Sequence, residues 1–412
     1  MRRPVWLVLP LLAALAIPAG AQKPPKEPKR PGIGAGDKND PLAYYQWGVS
    51  QLERYPEDAA DAFYWAIRLD PGWSDAYYAR WVAMHLSDPD RLVMYYYRDS
   101  KTLRSAEVRQ IDSLRLKAME LNPYLYRKFE RVMEQHFLEQ NVKRRNPGID
   151  QAELADAVRE FTAKGNAGTK AMNAYIAGNF PYALQEWAAD LPSWKNKSYP
   201  HAERGRIFYM LGAYDSATAE LTTAMKEMRK DDKNELVFVY ESKALYEQSL
   251  GMIDEKQGNL DAAREAYGRA LQEDLSYAPA HLALSAMNLV KGDTAAAISE
   301  MDIASQVAPG DGFIAFASGR TLVFSGHDSE ALEQFKRAVT LEPYFAEPHV
   351  FLAAIYDNSG YVTEAMTEYT EFVKLASHRD ARLEKVKARL AKMAGEAAAA
   401  PAPPAPPKPP AP

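Results

Sequence analysis

The chain has 412 residues, a formal net charge of −5 at pH 7 and no cysteine. Without cysteine it can be neither a disulfide-stabilised scaffold, nor a thiolate metal site, nor a thiol enzyme. Its mild acidity argues against binding nucleic acid or an anionic membrane through the overall electrostatic field.

The first 21 residues have the pattern of a secretory signal peptide. Arg2 and Arg3 form a charged start, residues 5–17 are apolar, and small residues precede a predicted cleavage site after Ala21. The alternative is an uncleaved membrane anchor, but thirteen apolar residues interrupted by Pro10 fall short of the roughly 20 that a spanning helix needs. No cysteine follows the signal, so a lipoprotein anchor is excluded. The sequence therefore predicts a periplasmic or secreted protein with no membrane span after signal cleavage.

Residues 22–41 are rich in proline, glycine and charge, which predicts a flexible linker. Residues 42–123 then contain two degenerate helical repeats. The second begins near Ala76 and loses register, and the helix that should pair with it arrives late, around Ala118. An insertion around residues 88–105 accounts for this delay.

Residues 124–165 have a helical pattern that does not phase with any repeat. Two interpretations stay open, namely degenerate repeats and a distinct helical insert. Lysine and arginine outnumber acidic residues between positions 98 and 145. This excess fits either a solvated helical face or a contact with an acidic partner.

A 34-residue spacing organises residues 166–375. Glycines recur at this step, an alanine follows each glycine five residues later, and a bulky apolar residue comes four residues after that. Glycine allows the turn between two antiparallel helices, and small residues allow the helices to cross closely. The one longer step, 46 residues from Gly212 to Gly258, predicts longer helices around residues 226–241. The glycines are Gly178, Gly212, Gly258, Gly292, Gly326 and Gly360, and the alanines are Ala183, Ala217, Ala263, Ala297, Ala331 and Ala365.

The chain should end with a helix and a tail. Residues 376–395 predict an amphipathic capping helix, which a solenoid needs to cover the apolar face of its last repeat. Residues 396–412 are rich in proline and alanine and predict a disordered tail. The apolar face of the helix carries Leu383, Val386, Leu390 and Met393.

The repeat pattern resembles the tetratricopeptide repeat (TPR), a helix–turn–helix unit with a 34-residue period. The resemblance covers residues 166–375 with in-register motifs and residues 42–123 more weakly. It implies an all-α fold, a right-handed solenoid of helical hairpins, in a TPR protein of an exported bacterial type.

Residues that carry chemistry are sparse. The seven histidines show no metal-binding spacing, and no nucleophile elbow or phosphate-binding loop is present. We therefore predict no catalytic, cofactor-binding or metal-binding residue, and no enzyme activity.

The TPR resemblance does point to a binding surface. In that family the first helix of each hairpin lines the concave face, at the second, fifth, ninth, twelfth and thirteenth positions of the repeat. No repeat here has the lysine and asparagine that clamp a partner's terminal carboxylate in some TPR domains. An apolar and aromatic groove with a few charges suits a peptide or protein partner. The predicted partner-binding residues are Arg206, Tyr209, Gln248, Lys256, Phe313, Phe316, Arg320, Phe324 and Asn358.

Two functional hypotheses follow. The first is a non-enzymatic protein–protein interaction scaffold of the bacterial cell envelope. The second is an accessory or regulatory subunit of an envelope enzyme or a secretion or assembly complex, acting through residues 85–165. A hydrolase in that segment has no motif to support it.

We expect the mature protein to begin at Gln22 and to lie outside the cytoplasm, because the first 21 residues match a cleavable export signal. N-terminal sequencing of the protein purified from its native host measures this directly. A chain that retains Met1 or Arg2 would contradict the prediction and remove the argument for an envelope location.

Overall fold

The computed structural model describes residues 27–34, 36–97, 105–163, 167–230 and 242–399. The predicted signal peptide and all of the predicted tail beyond residue 399 lie outside these ranges. The described residues form helices and no strand, which confirms the predicted all-α solenoid. The α-helices are α1 Pro41–Gln51, α2 Pro56–Leu69, α3 Ser74–Leu86, α4 Pro89–Tyr96, α5 Ala106–Leu121, α6 Glu130–Arg145, α7 Gln151–Ala163, α8 Ala167–Ile176, α9 Phe180–Asp190, α10 Ser198–Met210, α11 Tyr214–Lys230, α12 Lys243–Gln257, α13 Leu260–Glu273, α14 Ala278–Lys291, α15 Thr294–Val307, α16 Gly312–Phe324, α17 Asp328–Leu341, α18 Glu347–Asn358, α19 Val362–Leu375 and α20 Leu383–Ala399.

The corner glycines adopt the conformation that the sequence predicts. All six have φ between +73° and +79°, the left-handed region that a side chain disfavours. At the corner of α12 and α13, the N–H of Gly258 donates to Glu255 O at 3.1 Å and the next N–H donates to Asp254 O at 2.8 Å. Each glycine thus closes one helix and reverses the chain into the next.

Small residues lie where the two helices of a hairpin cross. A Cβ added at Gly251 would lie 2.7 Å from the ring of Tyr267, and one at Gly319 would lie 2.6 Å from the ring of Phe335. In the hairpin of α14 and α15, the Ser285 hydroxyl donates to the carbonyl oxygen of Ala297 at 2.9 Å. The large residue of the second helix therefore fills the space that the small residue leaves.

The N-terminal repeats are modified versions of the same hairpin. Helix α1 packs on α2, and α3 packs on α5, the pairing that the late arrival of Ala118 predicts. Helix α4 lies in the predicted insertion and packs against α6. The described part of the 124–165 segment contains α6 and α7, which are joined by a short turn.

The array has a longer helix before its one irregular step and a cap at its end. Helix α11 has 17 residues, against 14 in α13, α15, α17 and α19. Most of the segment predicted to lengthen the helices, residues 231–241, lies outside the described ranges. In the cap helix α20, Leu383, Val386 and Met393 are buried against the last hairpin.

The described residues of 27–129, which we call the N-terminal arm, fold back along the array. Residues later in the arm contact residues earlier in the array, so the two segments run antiparallel. The Trp65 ring also meets the Tyr344 ring edge-on, with centroids 4.9 Å apart. The arm contacts are Asn39 Nδ2 to Lys374 O at 2.7 Å, Arg68 to Glu342, Lys117 Nζ to Asp311 Oδ2 at 2.5 Å, Gln248 Nε2 to Glu120 O at 2.9 Å and Tyr124 Oη to Ser249 O at 2.6 Å.

Replacing Ala297 with tryptophan should destabilise the protein by at least ~1–3 kcal/mol, because an overpacked helix crossing forces its neighbours to move. The Ala297 side chain is 0% exposed. Ala295 lies in the same helix and is exposed, so Ala295→Trp is the matched control. Thermal unfolding followed by circular dichroism compares the two variants, and equal shifts would contradict the assigned register.

The stability of the fold should depend on the protonation of Glu342, at the contact between the arm and the array, and should fall as pH rises. Burial raises the pKa of Glu342 to about 7, with Asp311 and Glu27 adding to the rise and Arg68 opposing it. A carboxyl group whose pKa is raised on folding stabilises the fold below its unfolded pKa, and this contribution is lost as pH rises through the folded pKa.

We therefore expect the melting temperature of the wild type to fall, relative to that of Glu342→Gln, between pH 4.5 and about 7. Melting curves across this range measure the difference. Glu364→Gln, a change at an exposed site, should follow the wild type. A difference between wild type and Glu342→Gln that does not vary with pH would contradict this assignment.

Candidate functional site

The N-terminal arm divides the predicted partner-binding residues into two groups. Five of these residues are covered, wholly or in part, by the arm or by neighbouring repeats. The other four are exposed and lie at, or within about one turn of, the carboxyl ends of their helices. The covered group contains Arg206, Tyr209, Gln248, Phe313 and Phe316, and the exposed group contains Lys256, Arg320, Phe324 and Asn358.

Arg206 is an interior residue, which corrects its assignment to an accessible surface. Its side chain is 4% exposed, and Nη1 donates to Glu203 Oε1 at 2.6 Å. Arg127, from the turn before α6, pairs with the other oxygen of Glu203. Burial alone would raise the pKa of Glu203, but Arg127 and Arg206 together hold it below its usual value. This buried triad joins the arm to the array.

Tyr209 and Gln248 also contact the arm. The Tyr209 ring stacks on the ring of Tyr124, with centroids 3.5 Å apart and planes 7° from parallel. Gln248 donates to Glu120 O in the arm and accepts from the Tyr277 hydroxyl at 2.5 Å. Both side chains therefore contact the chain itself where the family would contact a ligand.

The two phenylalanines at the start of α16 pack inside the protein. The Phe313 ring covers Gly72 of the arm so closely that a Cβ there would lie 2.7 Å from it. Phe316 is 2% exposed and lies among Phe335, Phe345 and Phe351, with centroids 5.0–5.9 Å away. Its assignment to the groove surface is thus wrong, because it packs between repeats.

The exposed positions form a strip along the carboxyl ends of successive first helices. Phe324 is 66% exposed, and Val290, at the equivalent position of the preceding repeat, is 78% exposed. The Arg320 guanidinium lies 6.0 Å from the centroid of the Phe324 ring. We call this surface the open strip, and it consists of Lys256, Val290, Arg320, Phe324 and Asn358.

A cavity of about 470 Å³ lies where the inserted helices meet the array. Sequence reasoning missed this cavity, because its walls come from helices far apart in the chain and share no spacing. Trp187 lies in register with the repeat, whereas Glu130 and Glu134 lie in a segment that does not phase with it, so no pattern links the two sets. The walls include Tyr96, Glu130, Glu134, Trp187, Trp194 and Tyr199.

Three histidines have a repeated structural role. Each lies in the first helix of a hairpin, and its Nδ1 is 2.6 Å from a glutamate oxygen 19 residues later in the second helix. This contact ties the two helices together. The 19-residue spacing was visible in the sequence and was not recognised there. The pairs are His201–Glu220, His281–Glu300 and His349–Glu368.

Within the described ranges, no three His, Cys, Asp or Glu side chains gather as a metal-binding group. In the same ranges, no helix has both the length and the apolar character that a membrane crossing requires.

No protein-family model and no curated protein matches the chain. Solved structures similar to it are TPR-type proteins with low sequence identity. Yeast Tom70 is 12% identical over 88% of this chain and 90% of its own, with a TM-score of 0.44. The C-terminal part of a TPR repeat-containing protein from Cytophaga hutchinsonii is 17% identical over 50% of this chain and 77% of its own, with a TM-score of 0.41. YrrB, described as a TPR protein with an unusual peptide-binding site, is 15% identical over 50% of this chain and 100% of its own, with a TM-score of 0.38.

The assignment of the fold rests on the repeats themselves. Six left-handed glycines close six helical hairpins, and small residues face large ones at the helix crossings. The chain has the architecture of an all-α solenoid of helical hairpins of the TPR type.

Proposed function

We propose that the chain is a non-enzymatic protein-interaction scaffold of the bacterial cell envelope that binds a peptide or protein partner through the open strip. The observation that supports this function is the exposure of Phe324 and Val290 at equivalent positions of consecutive repeats. Large apolar side chains exposed side by side on a concave surface are typical of a protein-binding site. The envelope location rests on the N-terminal export pattern.

The chemistry of the strip suggests what the partner presents. Phe324 and Val290 provide apolar contact area, and Arg320, one turn before Phe324, and Lys256, one repeat before Val290, add positive charge. A peptide with an apolar anchor next to an acidic residue would complement this surface, since charge complementarity favours the right partner and register. Nucleic acid and membrane surfaces are not the partners that we propose.

The accessory-subunit function is a second candidate, and one observation favours it. Helices of the 85–165 segment form part of the wall of the 470 Å³ cavity. A specialised site in that segment is what a regulatory subunit would need.

Selection of peptides from a random displayed library against the full chain tests the first proposal. Phe324→Ala should weaken the selected peptides about tenfold or more, because an anchor aromatic at the centre of an interface contributes ~2 kcal/mol or more. Arg320→Glu should weaken peptides that carry an acidic residue. Titration calorimetry measures both affinities.

Leu275→Ala is the matched control, because Leu275 is 79% exposed and lies outside the open strip. All three substitutions change exposed side chains, so circular dichroism should show unchanged helicity. If the selected peptides bind Phe324→Ala and Arg320→Glu as tightly as the wild type, their binding site is not the open strip. Arg206 and Phe316 are not suitable test positions, because changes there would disturb buried packing.

A further inference from the structure

The cavity between the inserted helices and the array has aromatic walls. The Tyr199 ring lies 5.5 Å from the Trp194 ring and 5.7 Å from the Trp187 ring, measured between centroids. Tyr96 lines another part of the wall. Aromatic faces grouped around a cavity attract cations, because the ring quadrupole presents negative charge at its face.

Asp190 holds one of these rings in place. Its Oδ2 accepts from Trp194 Nε1 at 2.5 Å, and its Oδ1 accepts from the Ser193 hydroxyl at 2.9 Å. Asp190 is 4% exposed. The ring of Trp194 is therefore fixed by a buried charge-assisted hydrogen bond rather than left to rotate.

Two glutamates of the wall, Glu130 and Glu134, differ in whether a basic side chain makes an ion pair with them. Glu130 lies 3.3 Å from Arg127 and 3.6 Å from Arg115, so its charge is balanced. Glu134, one helical turn later, is half-buried and makes no ion pair with any residue that the structure describes. Burial raises the pKa of Glu134, Glu130 adds to the rise, and Arg131 on the same helix opposes it. A partly buried carboxyl group that no cation contacts directly is stabilised when a cation pairs with it.

Trp187 also lines the cavity, with a side chain that is 2% exposed, so it supports the neighbouring rings from behind. The single basic side chain among the lining residues, Lys195, is exposed.

From these observations we propose that the cavity is a binding site for a primary ammonium group on an aliphatic stem, paired with Glu134 and flanked by Trp194, Tyr199 and Tyr96. Its volume of about 470 Å³ suits a ligand of the size of a lysine side chain with its flanking backbone. Such a group comes from two sources, namely a lysine of a partner peptide or a free diamine.

Titration calorimetry on the full chain with three probes tests this proposal. The probes are Nα-acetyl-L-lysine methylamide, cadaverine and the uncharged Nα-acetyl-L-norleucine methylamide. We expect at least one cationic probe to bind with one-to-one stoichiometry, and about tenfold or more tighter than the norleucine compound. Tighter binding of blocked lysine identifies a peptide as the source, and tighter binding of cadaverine identifies a free amine.

Glu134→Gln should weaken the cationic probe about tenfold or more, whereas Glu153→Gln, at an exposed site on the next helix, should leave it unchanged. Trp194→Leu provides a second variant at a half-exposed position and should weaken binding similarly. No binding of either cation at millimolar concentration overturns the proposal, as does equal binding of norleucine or unchanged affinity in Glu134→Gln. The open strip lies on other helices, so a negative result here does not affect the proposed scaffold function.

Discussion

The closeness of the helix crossing within each hairpin determines the rest of the array. At Gly251 and Gly319 a side chain of the second helix occupies the space that a Cβ would need. The two helices can approach this closely only because the corner glycine reverses the chain in a left-handed conformation. Since each hairpin packs on the next, the crossing also sets the direction in which every first helix presents its inner face. The position of the open strip therefore depends on small residues at the helix crossings, such as Gly251 and Gly319, which are not themselves part of the strip.

The N-terminal arm changes what this inner face can do. A solenoid of stacked repeats normally leaves its concave surface open along its whole length. Here Tyr124 stacks on Tyr209 and Gly72 lies against Phe313, so part of the family's binding surface is already occupied by the chain. The arm also adds contacts between residues hundreds of positions apart, such as Arg68 with Glu342. These long-range contacts supplement the nearest-neighbour contacts on which solenoid stability ordinarily depends.

Buried charge connects the arm to the array at one further place. Glu203 is fully buried between Arg127 of the arm and Arg206 of the array, with both of its oxygens engaged. Breaking such a group by removing one member typically costs ~3–5 kcal/mol, because an uncompensated charge stays in the interior. The same junction borders the aromatic cavity through Glu130, which pairs with Arg127. The attachment of the inserted helices and the shape of the cavity thus depend on one set of ion pairs.

The sequence by itself determined every feature that repeats with the period of the chain. These features include the corner glycines, the alanines at the crossings such as Ala297, and the apolar face of the cap helix. Each depends on local helix geometry, so the spacing of residue types predicts it. Residues 124–165 could not be phased, because α6 and α7 pack with partners that do not recur at that period.

Only the tertiary structure decided which surface remains accessible. Arg206 and Phe316 occupy the right positions in their repeats, yet the first is enclosed by the arm and the second by neighbouring phenylalanines. The arm docks through ordinary polar side chains such as Lys117, whose partner Asp311 is 194 residues away. Because no periodicity or local propensity links such residues, the sequence does not reveal their pairing, and only the folded chain brings them together.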